Sequence, residues 1–149
     1  MNHRAKRRFG QNFLVDESVI AGILGAIGPV AGQQFVEIGP GLGALTRPLL
    51  ESRSVSRAAL APFPNLLLLE SDALGFNFVP SGPAASDLRV VGNLPYNIAT
   101  ALVLRILGYP QGIRDLHFMV QKEVALRLAA APDCADYGRL SVATQAVAE

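Results

Sequence analysis

Apolar positions along the chain fall into segments whose spacing alternates between helical and strand-like periods. Asp16 is placed to cap a helix in which Val19, Ile20, Ile23, Leu24 and Ile27 keep one face, and Gly28-Pro29 stops it. Gln34 to Ile38 reads as a short strand that runs into Gly39-Pro40-Gly41-Leu42-Gly43, with a helix from about Ala44 to Ser52 behind it. Arg53 to Leu60 reads as a further short helix, broken by Ala61-Pro62-Phe63-Pro64. Asn65 to Glu70 holds four consecutive leucines, the pattern of a strand buried on both faces, with Ser71-Asp72-Ala73-Leu74 at its carboxyl end. After a Pro-, Gly- and Ser-rich loop from Pro80 to Ser86, Leu88 to Val91 reads as a buried strand ended by Gly92. A helix from Ala99 to Leu107, closed by Gly108 and Pro110, precedes a strand at Leu116 to Val120 and a helix from Gln121 to Ala131. Tyr137-Gly138-Arg139-Leu140 opens a last element that the end of the sequence cuts short. Strands alternating with helices predict an α/β domain with a parallel or mostly parallel sheet.

Composition narrows the class. At 149 residues, half of them apolar and 17% charged, the chain has the material for one globular domain, 1–149, with a sizeable core. A net charge of +1 predicts no nucleic-acid partner, but Arg4, Lys6, Arg7 and Arg8 concentrate four of the thirteen basic side chains in residues 1–8, a segment that attracts phosphate or is simply solvated. The lone Cys134 excludes an internal disulfide and suits a reducing compartment. No apolar run approaches a membrane span, and no metal-ligand cluster or hydrolase triad stands out, so a cytoplasmic protein without a metal is expected.

Two stretches carry candidate chemistry. In Gly92-Asn93-Leu94-Pro95-Tyr96-Asn97, the Asn93 side chain offers a carbonyl acceptor, and Pro95 fixes its own φ and biases Leu94 toward an extended shape. A backbone carbonyl can then join Asn93 in one site, with Tyr96 as a flat face on which a base stacks. Two acceptors and a stacking plate suit the exocyclic amine of adenine, whose lone pair is delocalised into the ring. Accepting both amine hydrogens frees that lone pair for attack. The competing reading is a strand, a proline turn and a packed tyrosine. The glycine turn at 39–43, between a strand and a helix, permits close backbone approach and presents N–H groups to an anionic ligand end, such as the carboxylate of S-adenosylmethionine. Phosphate binding and plain turn geometry compete there. Glu37 orders that loop or caps local N–H groups; Asp72 accepts from the adenine of a cofactor or caps its own turn; His117 is structural.

In series, Arg8-Phe9-Gly10-Gln11-Asn12-Phe13-Leu14, Val36-Glu37-Ile38-Gly39-Pro40-Gly41-Leu42, Asp72-Ala73-Leu74, Gly92-Asn93-Leu94-Pro95-Tyr96-Asn97-Ile98, Val120-Gln121-Lys122-Glu123-Val124 and Tyr137-Gly138-Arg139-Leu140-Ser141 resemble the ribosomal RNA adenine N6-dimethyltransferases. These are Rossmann-like class I methyltransferases. The resemblance implies transfer of methyl groups from S-adenosylmethionine to two adjacent adenosines near the 3′ end of small-subunit ribosomal RNA, by a monomer acting on a pre-ribosomal small subunit. By motif match, Asn12 and Leu14 would close over the donor, Gly39 and Gly41 would approach it, Asp72 would read its adenine, and Asn93 would border it. Asn93 and the backbone at Leu94, its shape set by the catalytic-site residue Pro95, would hold the target amine, and Tyr96 would stack on the extruded base. Lys122 and the basic segment would contact phosphate.

Two departures from the family are expected. Between the glycine turn and Asp72 the chain is short by roughly a dozen residues, about one strand and turn. That strand carries the acidic residue that binds the donor ribose, for which Glu70 is a weak substitute. The family's C-terminal strands and small helical RNA-binding domain are also absent from the sequence. Two other functions therefore stand beside the leading one: a non-catalytic binder of pre-ribosomal RNA, and an adenine-N6 methyltransferase acting on DNA.

Overall fold

The computed structural model describes residues 14–30, 33–53, 71–78, 88–109 and 112–148. Among the described residues, eight elements run in the order α1 (Glu17–Ile27), β1 (Gln34–Ile38), α2 (Thr46–Arg53), β2 (Leu88–Asn93), α3 (Ala99–Leu107), β3 (Ile113–Met119), α4 (Lys122–Leu128) and α5 (Arg139–Gln145). Asp16 caps α1 as its position predicts, its Oδ1 accepting from the Ser18 and Val19 amides at 2.9 and 3.3 Å. At the other end Gly28 adopts φ 54° and donates to the Leu24 carbonyl. Of the helix predicted from Arg53 to Leu60, Arg53 instead ends α2 and the rest lies outside the described residues, as do the predicted strand at 65–70, including Glu70, and the loop at 80–86.

The three described strands form one parallel sheet in the order β1-β2-β3. Strand alternation sends alternate residues of β2 to different layers. Leu88, Val90 and Leu94 join Ile38, Phe78, Ala99, Leu102, Val103 and Ile106 in the core under α3. Val91 packs on the opposite face with Ile27 of α1 and Leu45 and Leu49 at and within α2. The sheet is thus covered on both sides, which is why its central strand is buried throughout until Asn93.

Several boundaries differ from the sequence reading. Gly92 does not end β2. It pairs with Ile38 inside the ladder, where an added Cβ would stand 2.7 Å from the Ile38 carbonyl oxygen. Glycine is required there for close strand approach. Gly92→Ala is expected to destabilise the protein by about 1–3 kcal/mol, since the clashing atom is backbone; urea denaturation measures it. Strand β3 begins at Ile113, three residues before the apolar run, because Arg114 and Asp115 mask its start and Asp115 pairs in register with Arg89. Helix α4 stops at Leu128 and not at Ala131, since α5 satisfies its last carbonyls. The Ser141 hydroxyl donates to Arg127 O at 2.6 Å, and Gln145 Nε2 donates to Leu128 O and Ala130 O at 3.2 and 2.9 Å. The last predicted element is the seven-residue α5, which ends at Gln145, before the end of the sequence.

Candidate active site

The candidate site residues gather at the carboxyl ends of β1 and β2. Pairing of Ile38 with Gly92 carries Gly39 and Asn93 to the same level at the sheet edge. Gly39, Gly41 and Gly43 all adopt left-handed φ, 65°, 55° and 83°, which side-chain-bearing residues rarely take. Among the described residues, a Cβ built on Gly39 meets no atom within 4 Å, so this backbone borders space where a ligand can approach. The turn closes through the Gly43 amide and Pro40 carbonyl at 2.8 Å. Leu45, just beyond it, packs in the core that Leu14 also covers, which holds the segment entering α1 on the same side of the sheet.

Immediately after β2 the backbone sorts its polar groups. The Leu94 amide donates to Met119 O at 3.0 Å, extending the ladder, while the Leu94 side chain is buried under α3. Pro95 O is taken twice, by the Ile98 and Ala99 amides at 3.2 and 3.1 Å, and so starts α3. Among the described residues no N–H donates to the Leu94 carbonyl. Of the two candidate backbone acceptors in this turn, Leu94 is therefore the one left for a ligand. Alternation assigns the half-buried Asn93 to the face of Val91, the side of the glycine turn. Tyr96 is 44% exposed.

Asp72 serves its local role: its Oδ1 accepts from the Leu74 amide at 3.0 Å in a turn closed by Gly75 N and Asp72 O. A carboxylate has a second oxygen, so reading a ligand's adenine is compatible with that cap. Ala73 and Leu74 anchor the turn on the core that holds Ile38 and Leu94. Lys122 is exposed at the first position of α4, just past the carboxyl end of β3. Asn12 and the basic segment 1–8 lie outside the described residues.

This geometry can be set beside known proteins. The family model for ribosomal RNA adenine dimethylase matches residues 2–149. The chain belongs to the ribosomal RNA adenine dimethylase family. It is 50% identical to ribosomal RNA small subunit methyltransferase A of Thiobacillus denitrificans over 96% of the chain and 60% of that relative. It is 48% identical to the protein of the same name from Saccharophagus degradans, over 99% of the chain and 60% of the relative. The chain thus spans about 60% of the length of these curated relatives. A crystal structure of a dimethyladenosine transferase from Plasmodium falciparum superposes with a TM-score of 0.74 at 24% identity, covering 90% of this chain and 52% of that one. The fold is the Rossmann-like methyltransferase fold. The Thiobacillus alignment occupies 155 positions, whereas 96% of 149 residues is about 143, so about a dozen positions of the relative have no counterpart here. That agrees in size with the expected internal shortfall.

Two features of this chain escaped the sequence reading. Arg89, inside the predicted apolar run, is buried and ion-paired to Asp115, with the two nearest oxygen contacts at 2.8 Å. It also donates to Gln33 Oε1 and to Ile27 O at the end of α1, and lies 5.3 Å from the Phe35 ring centroid. His117 Nε2 stands 3.3 Å from Arg89 Nη2 and 3.5 Å from Asp115 Oδ2, the structural role expected of it. The second is Thr46 at the glycine turn, whose Oγ1 donates to Glu37 Oε2 at 2.6 Å, in line with the loop-ordering role weighed for Glu37. Burial pushes the half-buried Glu37 carboxyl above its ordinary value, and the Thr46 bond offsets this only in part. Among the described residues, no group of three or more His, Cys, Asp or Glu side chains is placed to hold a metal ion, and no helix is long and apolar enough to cross a membrane.

Proposed function

We propose that this chain carries the donor and target-base sites of a ribosomal RNA adenine N6,N6-dimethyltransferase. The observation that supports this best is the Leu94 carbonyl, without a donor among the described residues, beside Asn93 and an exposed Tyr96, level with a glycine turn whose backbone borders open space. The turn fits the aminoacyl end of S-adenosylmethionine, because its three left-handed glycines leave no side chain in the way. Asp72 fits the donor's adenine amine, and Leu14 lines the same side. S-adenosylmethionine supplies an electrophilic methyl group on sulfur.

The chain's own residues prepare the nucleophile. Asn93 Oδ1 and Leu94 O accept the two hydrogens of the target adenine amine, drawing its nitrogen toward tetrahedral geometry so that the lone pair points at the methyl carbon. Tyr96 stacks on the base and holds it out of its own helix. As the N–C bond forms and the S–C bond breaks, the amine gains positive charge, which the two oxygens stabilise. One proton then leaves to solvent, and a second round uses the remaining N–H. The substrate in this reading is a pair of adjacent adenosines near the 3′ end of small-subunit ribosomal RNA, and the protein is a cytoplasmic monomer that meets a pre-ribosomal small subunit, with Lys122 and the basic segment 1–8 on phosphate.

Calorimetric titration with S-adenosylmethionine tests the donor site. Saturable one-to-one binding is expected, weakened at least tenfold in Gly39→Ala, where a methyl group enters the open space and the left-handed φ is strained. No heat from a folded chain would sink the reading. Methylation assays offering unmethylated ribosomal RNA and adenine-containing DNA in parallel then separate the RNA enzyme from a DNA enzyme, and binding without methylation identifies a binder.

A further inference from the structure

The Glu37–Thr46 hydrogen bond joins the last part of β1 to the first residue of α2 and so spans the entire glycine turn. Among the described residues, the backbone bonds within that turn are Gly43 N to Pro40 O at its centre and Arg47 N to Gly43 O at its exit. Three glycines without side chains give it wide conformational freedom, and among the described residues a Cβ added at Gly39 would meet nothing within 4 Å. A turn of this kind holds one shape only if its two ends are pinned. Alternation along β1 puts Glu37 on the face of Phe35, the face that α2 covers, so its carboxylate reaches Thr46 from inside the fold. The half-burial that raises the Glu37 carboxyl also shields this bond from competition with water.

We propose that Glu37 and Thr46 are positioning residues whose hydrogen bond braces the glycine turn and thereby sets its affinity for the methyl donor. The inference rests on the donor-binding reading above and adds to it two residues that need not touch the donor. The brace limits the ordering that binding would otherwise require of a loose turn, so its removal weakens binding with every donor contact still present.

The test is calorimetric titration of the full chain and its variants with S-adenosylmethionine, each variant shown to be folded by its thermal transition. Thr46→Val keeps the shape of the side chain but removes the hydroxyl, and is expected to weaken binding about tenfold. Thr46→Ser restores the donor hydroxyl and is expected to bind within about twofold of the parent. Glu37→Gln keeps an acceptor oxygen for Thr46 and is expected to bind within about threefold. Unchanged affinity in Thr46→Val, or a loss that serine does not rescue, would overturn the brace. A loss in Glu37→Gln as large as that in Thr46→Val would also overturn it, because the carboxylate charge and not the hydrogen bond would then matter. Failure of the unaltered chain to bind removes the donor site and the brace together, whereas binding that Thr46→Val leaves intact removes the brace alone.

Discussion

Asn93→Ala is expected to lower the rate of methyl transfer to small-subunit ribosomal RNA by about 100-fold or more, measured at saturating S-adenosylmethionine. In the proposed mechanism the positive charge on the target nitrogen exists only as the new bond forms. The acceptors aimed at the amine therefore bind the transition state better than the ground state, and losing one appears chiefly in kcat. Saturating donor removes any contribution Asn93 makes to donor binding. The variant should fold, because Asn93 is the last residue of β2 and its ladder partner, Met119, is met through backbone groups. Leu94 provides the contrast. Its carbonyl is the second proposed acceptor, which no side-chain change removes, while its side chain is fully buried and belongs to stability. Full dimethylation by Asn93→Ala would show that the amine is held elsewhere.

Arg89→Leu is expected to destabilise the fold by about 3 kcal/mol, a midpoint lowered by roughly 6–12 °C for a domain of this size. Arg89 lies in β2 at the end remote from the site, and its guanidinium joins α1, the segment before β1, and β3 by bonds to Ile27 O, Gln33 and Asp115. Leucine fills part of the space but leaves the Asp115 carboxylate and the Ile27 carbonyl without their partner. Asp115 keeps about a third of its side-chain surface, so it rehydrates in part, and this holds the figure at the lower end for a broken buried pair. The double variant Arg89→Leu/Asp115→Leu should regain a share of the loss, and Arg89→Lys little, since an ammonium cannot reproduce the fork.

The effect has a pH signature. Burial pushes the Asp115 carboxyl up, but the hydrogen bond and charge of Arg89, helped by His117, outweigh it and hold it below its ordinary value of 3.8. A carboxyl lowered in the folded state contributes stability that is complete above the ordinary value and is lost as the pH falls through the lowered one. The gap between Arg89→Leu and the parent is therefore widest near neutrality and narrows in acid, below 3.8. Urea midpoints at neutral and acid pH check this; a gap that stays constant would mean that the ion pair is not its source.

Local signals were sufficient wherever partners are near in sequence. Asp16 and Gly28 bound α1 because a cap needs only its own turn, and the glycines at 39, 41 and 43 announced a left-handed backbone because few other residues adopt it. Alternating strand and helix periods determined a parallel α/β sheet, and six short motifs in order determined the family. Tertiary structure decided what depends on groups far apart in the chain. Arg89 sat unnoticed in an apolar run since its partners Asp115, Gln33 and Ile27 lie 26, 56 and 62 residues away. Gly92 read as a strand end until its pairing with Ile38 showed a closeness that no side chain permits. The motif named the Leu94 backbone, but that its carbonyl has no N–H donor among the described residues while the Pro95 carbonyl has two was shown only by the fold, because a backbone acceptor is available only after the folded chain has used the others. By itself the sequence determined the order of the described elements and named candidate residues for a site; which of their polar groups remain for a ligand was decided by packing, since hydrogen-bond partners are assigned only when distant segments meet.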